Sequence, residues 1–253
     1  MYRGFNLDIA DEDFSSWFDI GNRMHENNKA QVERKIESFK DGSGDLLASR
    51  IIDSWFPPVK AEVFLSHSHR DAEQVIRLSG YLYKVFGLTS FIDSCVWGCS
   101  DDLLQIVDDT YCYNRTTGRY SYERRNRSTT HVHLMLSTAL AKMINSCECI
   151  MFVNTPHSIS PAEYIGGDDT THSPWIYSEI AITNLVQKRS PADHRGVAFR
   201  ADALVEKAAE SLNVRYQLDM THLTPMATDD LVRWVKHRKK EWAALDVLYR
   251  IMT

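Results

Sequence analysis

No run of apolar residues in this 253-residue chain approaches the roughly 20 needed to cross a bilayer, so no membrane association is expected. The first 20 residues are acidic and aromatic and lack the basic start and apolar core of a signal peptide, and a cytoplasmic location is expected. Basic charge is not in excess either. With 29 Lys and Arg against 34 Asp and Glu, the formal net charge is −5 at pH 7. That gives no global attraction to nucleic acid or to an acidic membrane, so any anion site has to be a local cluster. Cysteine is sparse and odd in number. Cys95, Cys99, Cys112, Cys147 and Cys149 argue against a disulfide framework and for reduced thiols. Cys95, Cys99 and Cys112 with His131 and His133 match no standard two-plus-two zinc spacing, so no metal is expected. Cys147 and Cys149 straddle the start of an apolar strand and read as small buried thiols. The chain has no internal repeat and no low-complexity tract, and its hydrophobic content of 43% is ample for a buried core.

What is present divides into a helical preface and an alternating body. Phe14, Trp17 and Phe18 form one apolar cluster, and Val32, Ile36 and Phe39 recur at helical spacing. Asp41-Gly-Ser-Gly-Asp45 breaks the pattern before Leu47, Ile51, Ile52 and Trp55 resume it. Pro57-Pro58 closes the preface, because the residue before a proline is pushed out of helical geometry. Residues 1–58 are therefore expected as a helical N-terminal extension and residues 59–253 as the main domain.

From residue 61 onward strand and helix signals alternate. Strands are expected at 61–66, 88–93, 149–154, 195–199 and 214–218, and helices at 70–86, 131–146, 174–187, 201–211 and 229–251. Alternation of this kind implies an α/β fold, a parallel sheet with helices on both faces. Gly87 after Phe86 is expected as a left-handed cap, and Asp71 as a helix-start residue. Ser128-Thr-Thr130 offers an N-cap for the helix at 131, and the His237-Arg-Lys-Lys240 run reads as a solvated face.

Three segments carry the functional signal. Residues 61–71 read Ala-Glu-Val-Phe-Leu-Ser-His-Ser-His-Arg-Asp, residues 91–93 read Phe-Ile-Asp, and residues 175–179 read Trp-Ile-Tyr-Ser-Glu. In the last of these an aromatic plate and a carboxylate sit one helical turn apart on the same face. In this order the segments resemble the Toll/interleukin-1 receptor (TIR) domain over roughly residues 60–220. That family's first strand ends in a Phe-Ile-Ser-Tyr-like run, its second in Phe-Ile-Asp, and its third helix can carry WxxxE.

The resemblance implies a flavodoxin-like five-stranded sheet of order 2-1-3-4-5, in which a ligand sits beyond the carboxyl ends of the first and third strands. Ser66, His67, Ser68 and His69 then follow strand one, Thr155–Ser158 follow strand three, and Trp175 and Glu179 line the same crevice. It also implies an activity, cleavage of the nicotinamide–ribose bond of NAD+. Departure of nicotinamide neutralises the pyridinium while positive charge gathers on the ribose, and a carboxylate there stabilises that charge. Glu179 is the candidate catalytic residue, and Ser66, His67, Ser68, His69, Asp93 and Trp175 are candidates for substrate binding. NAD+ is substrate, not cofactor.

In the family Asp93 leads into a loop that gates the pocket and mediates assembly. Here a long connection, residues 94–130, replaces it, rich in Tyr111, Tyr113, Tyr120 and Tyr122 interleaved with Arg115, Arg119, Arg124, Arg125 and Arg127. This insert is expected to serve the NAD+ pyrophosphate or a subunit contact, with nucleic acid as the less favoured target. The resemblance is closest in kind to bacterial TIR enzymes of antiphage defence such as the Thoeris system, which hydrolyse NAD+ or convert it to an ADP-ribose-derived signal for a separate effector. Self-association through the TIR domain is implied. The alternatives are a non-enzymatic TIR adaptor and a nucleotide sensor without turnover.

Overall fold

A computed structural model describes residues 1–9, 13–28, 35–97, 100–159, 170–195 and 216–253. The chain is an α/β protein built on a five-stranded parallel sheet. Its strands are β1 (Arg3–Asp8), β2 (Val63–Ser66), β3 (Ser90–Phe91), β6 (Cys149–Asn154) and β9 (Thr224–Met226), in the spatial order β3-β2-β6-β1-β9. Two small antiparallel ribbons lie outside it, β4 (Tyr113–Asn114) with β5 (Arg119–Tyr120) and β7 (Thr170–Thr171) with β8 (Tyr216–Gln217). The helices are α1 (Phe18–Asn28), α2 (Ala48–Trp55), α3 (Ala72–Tyr81), α4 (Asp93–Val96), α5 (Ser100–Tyr111), α6 (Tyr122–Ser146), α7 (Pro174–Leu185), α8 (Pro191–Arg195), α9 (Thr228–Lys236) and α10 (Glu241–Ile251). No helix among the described residues is long and apolar enough to cross a membrane.

The sheet follows from short apolar runs that must be covered on both faces. In β2 every residue of Val-Phe-Leu-Ser is buried, and so are the first five of β6. Period-2 alternation divides them: Val63, Leu65, Cys149, Met151 and Val153 join one core with Phe5 and Leu7, whereas Phe64 and Ile150 join the other. The first core is closed by α3, α9 and α10 through Val75, Leu78, Trp234, Leu245 and Leu248, and the second by α2 and α6 through Ile51, Trp55, Leu140 and Met143. Cys147 and Cys149 are both fully buried, and burial lifts the Cys147 thiol to about 12 and raises that of Cys149 as well, which disfavours the reactive thiolate.

Several expectations are corrected. Residues 1–58 are not a purely helical extension, because Arg3–Asp8 is inserted into the sheet between β6 and β9. The order 2-1-3-4-5 does not hold as a whole. β2 does lie between β3 and β6, but the next two places are taken by β1 and β9. The strand expected at 195–199 and the helix at 201–211 lie outside the described residues apart from Arg195, which ends α8. Of the strand expected at 214–218, Tyr216–Gln217 pairs with Thr170–Thr171 and not with the main sheet. The helix expected at 229–251 is two helices, broken at an exposed His237–Lys240 linker in which Arg238 takes φ 52°, with Glu241 at φ 51° opening α10. The connection 94–130 is mostly helical, and α6 starts at Tyr122, earlier than expected, capped by Ser121 through the Arg124 amide at 3.5 Å. Ser128 is not a cap at all, since its hydroxyl is buried against Asp108.

Two glycines set the closest helix approach. A Cβ on Gly21 of α1 would lie 2.0 Å from the Ile76 carbonyl oxygen of α3, and one on Gly80 would lie 2.1 Å from the Trp17 oxygen. Gly87 takes φ 69°, the left-handed cap expected after Phe86.

Candidate active site

The chain leaves β2 toward β3 on one side and leaves β6 toward β9 on the other, so the connections diverge between the carboxyl ends of β2 and β6. Such a divergence opens a crevice. Ser66 is the last residue of β2, and the alternation that sends Val63 and Leu65 to one core turns Ser66 to the opposite face, toward α7. Helix α7 is started by Ser173, whose hydroxyl accepts from the Ile176 amide at 3.3 Å, with Pro174 in the first turn. One and a half turns on, Glu179 is only 4% exposed, and Ser66 Oγ donates to its Oε2 at 2.5 Å.

The surroundings of this carboxyl group are Phe64, Ile150, Phe152, Ile180, Thr183 and Leu223, which with Ser66 leave no room for a water molecule. Burial among apolar groups raises the Glu179 pKa well above the ordinary carboxylate range. The neighbouring Asp93 charge raises it further, and the Ser66 hydrogen bond opposes both. In this enclosed state Glu179 is therefore held toward its neutral form.

His67, the residue after Ser66, is also buried. Its Nδ1 is 3.3 Å from the Leu65 carbonyl oxygen and its Nε2 is 3.3 Å from Ser94 Oγ. A carbonyl only accepts, so Nδ1 carries the proton and Nε2 accepts from Ser94. Burial lowers the His67 pKa, against an upward pull from Asp93, so the ring is neutral at pH 7. Asp93, half-buried at the start of α4, thus acts electrostatically on both Glu179 and His67.

The remaining candidates are less tightly drawn in. Ser68 starts the turn after β2 by accepting from the Arg70 amide at 3.4 Å. His69 is exposed, its ring 6.1 Å from that of His67. Trp175 is half-buried and packs toward α6, meeting His133 edge-on with ring centroids 5.5 Å apart. Its side chain and that of Glu179 accordingly have different neighbours, although one turn separates them. Asp71 does more than begin a helix. Its buried carboxylate accepts from Thr155 Oγ1 at 2.6 Å and pairs with His157 Nδ1 at 2.6 Å, tying the loop after β2 to the loop after β6. The alternation of strands brings both loops to the crevice, but nothing in the sequence pairs Asp71 with His157, 86 positions away. No group of three or more His, Cys, Asp or Glu among the described residues has the arrangement of a metal site.

The Tyr/Arg insert folds on itself. Arg125 Nε pairs with the buried Asp108 at 2.8 Å and its guanidinium lies 5.4 Å from the Tyr120 ring centroid, while Arg124 Nη1 donates to the Tyr111 carbonyl at 3.1 Å. Comparison with family models, with curated proteins and with solved structures finds no match to this chain.

Proposed function

We propose that this chain is a TIR-like enzyme that cleaves the nicotinamide–ribose bond of NAD+, as a glycohydrolase or as an ADP-ribosyl cyclase producing an ADP-ribose-derived signal in antiphage defence. The observation that carries the reading is Glu179, a buried carboxyl group with a raised pKa at the carboxyl ends of β2 and β6, held by Ser66 and beside Asp93. A perturbed acid in a strand-end crevice is the setting in which catalytic carboxylates are found. A cationic pyridinium brought against Glu179 lowers its pKa and ionises it, and the carboxylate then faces the charge that grows on the ribose as nicotinamide leaves. Asp93 adds negative potential to the same space. Asp71 with His157 fixes the rim.

Because the carboxyl group is enclosed, entry of substrate requires α7 and the loops after β2 and β6 to separate. Self-association of the TIR type is the proposed means of opening and completing the pocket. The same enclosure favours the second reading, a non-enzymatic TIR adaptor in which Glu179 is a buried structural acid. Incubating the purified chain at high concentration with NAD+ and following nicotinamide release separates the two. Release that is lost in Glu179→Gln supports the enzyme, and none at any protein concentration supports the adaptor.

A further inference from the structure

A cavity of about 530 Å³ opens between α2, α5 and the N-terminal half of α6, away from Ser66 and Glu179. That volume is within the range of small-molecule sites. Its floor is aliphatic, formed by Leu46, Ile51, Val107, Val132 and Met135. Its rim carries the guanidinium groups of Arg124 and Arg127. Arg124, Arg127 and His131 recur along α6 at spacings of three and four, which puts them on one side of the helix, above Met135. Arg124 spends one N–H on the Tyr111 carbonyl, and Arg127 has neither an ion pair nor a hydrogen bond with the described residues. The rim holds a single carboxylate among the described lining residues, Asp45, against the two arginines.

An apolar floor below two guanidinium groups, Arg124 with one N–H engaged and Arg127 with none engaged by the described residues, defines the occupant. We propose that this cavity binds a small anionic amphiphile, an aliphatic body on the floor with a carboxylate or phosphate head held by Arg124 and Arg127. The aliphatic lining, with Met135 as an adaptable surface, suits a flexible chain better than a flat base. The site uses the Tyr/Arg insert and does not depend on the NAD+ reading.

The test is isothermal titration of the full chain with four probes below their micellar concentrations: dodecanoate, dodecyl phosphate, dodecanol and inorganic phosphate. Saturable one-to-one binding of one or both anionic amphiphiles is expected, at least tenfold tighter than dodecanol, with no measurable inorganic phosphate binding. Which of the two binds tighter identifies the head group. Arg124→Ala/Arg127→Ala should weaken that binding tenfold or more without moving the thermal unfolding midpoint of the unliganded protein. Ala48→Phe, which adds bulk at an exposed α2 residue lining the cavity, should weaken it as well. Equal affinity for dodecanol, non-saturable uptake, no binding of either anion, or undiminished binding by the double arginine variant would overturn the proposal. The surface arginine variant decides the matter if Ala48→Phe fails to fold.

Discussion

Ser66 and Glu179, 113 positions apart in sequence, are joined by a 2.5 Å hydrogen bond in which the serine hydroxyl donates to a carboxyl group otherwise walled in mostly by apolar side chains. The bond opposes two larger influences, burial and the Asp93 charge, that push the Glu179 pKa up. The balance among these three gives the molecule properties that can be measured independently of one another.

Under the proposed reaction, Glu179→Gln lowers NAD+ turnover by a factor of about one hundred or more, because it removes a charge aimed at the transition state. The effect should fall mainly on kcat, with circular dichroism unchanged. Near-normal nicotinamide release from the variant removes Glu179 from the chemistry.

The same variant should stabilise the fold at neutral pH. The folded-state pKa of Glu179 lies above its unfolded value of about 4.3, so between the two the folded chain keeps a proton that the unfolded chain has released. Stability therefore falls as pH rises through that window and levels off above the folded pKa. Glutamine has no such loss. Thermal unfolding from pH 4 to pH 8 should show Glu179→Gln gaining on the wild type as pH rises, with each kcal/mol worth roughly 2–4 °C. A gap that is constant or narrows with rising pH contradicts the buried neutral acid.

Ser66→Ala removes the one contact that holds the Glu179 pKa down. If the ionised carboxylate is the active form, kcat/KM rises with pH through the free-enzyme pKa, and in the variant this rise moves to higher pH. The two pH profiles should converge toward the alkaline end. An unshifted profile at reduced height would assign Ser66 to substrate contact instead.

Gly21→Ala and Gly80→Ala should each destabilise the protein severely, since the added methyl group meets backbone oxygen at 2.0 Å and 2.1 Å and neither backbone can yield without parting α1 from α3. Loss of soluble protein or a fall of roughly 5 °C or more in Tm is expected. Gly42→Ala, with nothing within 4 Å, is the control and should unfold at the wild-type temperature. Wild-type stability in both α1 and α3 variants would mean that the helices are not packed this closely in solution.

How much of this was legible beforehand differs from element to element. The Val63–Ser66 and Cys149–Asn154 strands announced themselves as short apolar runs, and the end of β2 pointed at Ser66 and His67. The strand at Arg3–Asp8 did not. Its Phe5 and Leu7 alternate over too few residues, with Gly4 before them and Asn6 between them, and the aromatic cluster that follows dominates the local pattern. α6 was read nine residues too short because Ser128-Thr-Thr130 is a plausible cap by composition, and only the pairing of Asp108 with Ser128 and Arg125 shows those residues to be mid-helix.

The division has a physical cause. Local periodicity, turn residues and charge balance act over a few residues, and they settled the α/β class, the central strands, the buried thiols and the Gly87 cap. Which strand stands beside which is decided by long-range closure, and so the chain itself does not disclose that residues from both ends, Arg3–Asp8 and Thr224–Met226, complete the sheet. The state of Glu179 is of the same kind: its helix and its spacing from Trp175 are written locally, but its raised pKa exists only once Phe64, Ile150 and Leu223 have excluded water and Asp93 and Ser66 have been brought against it.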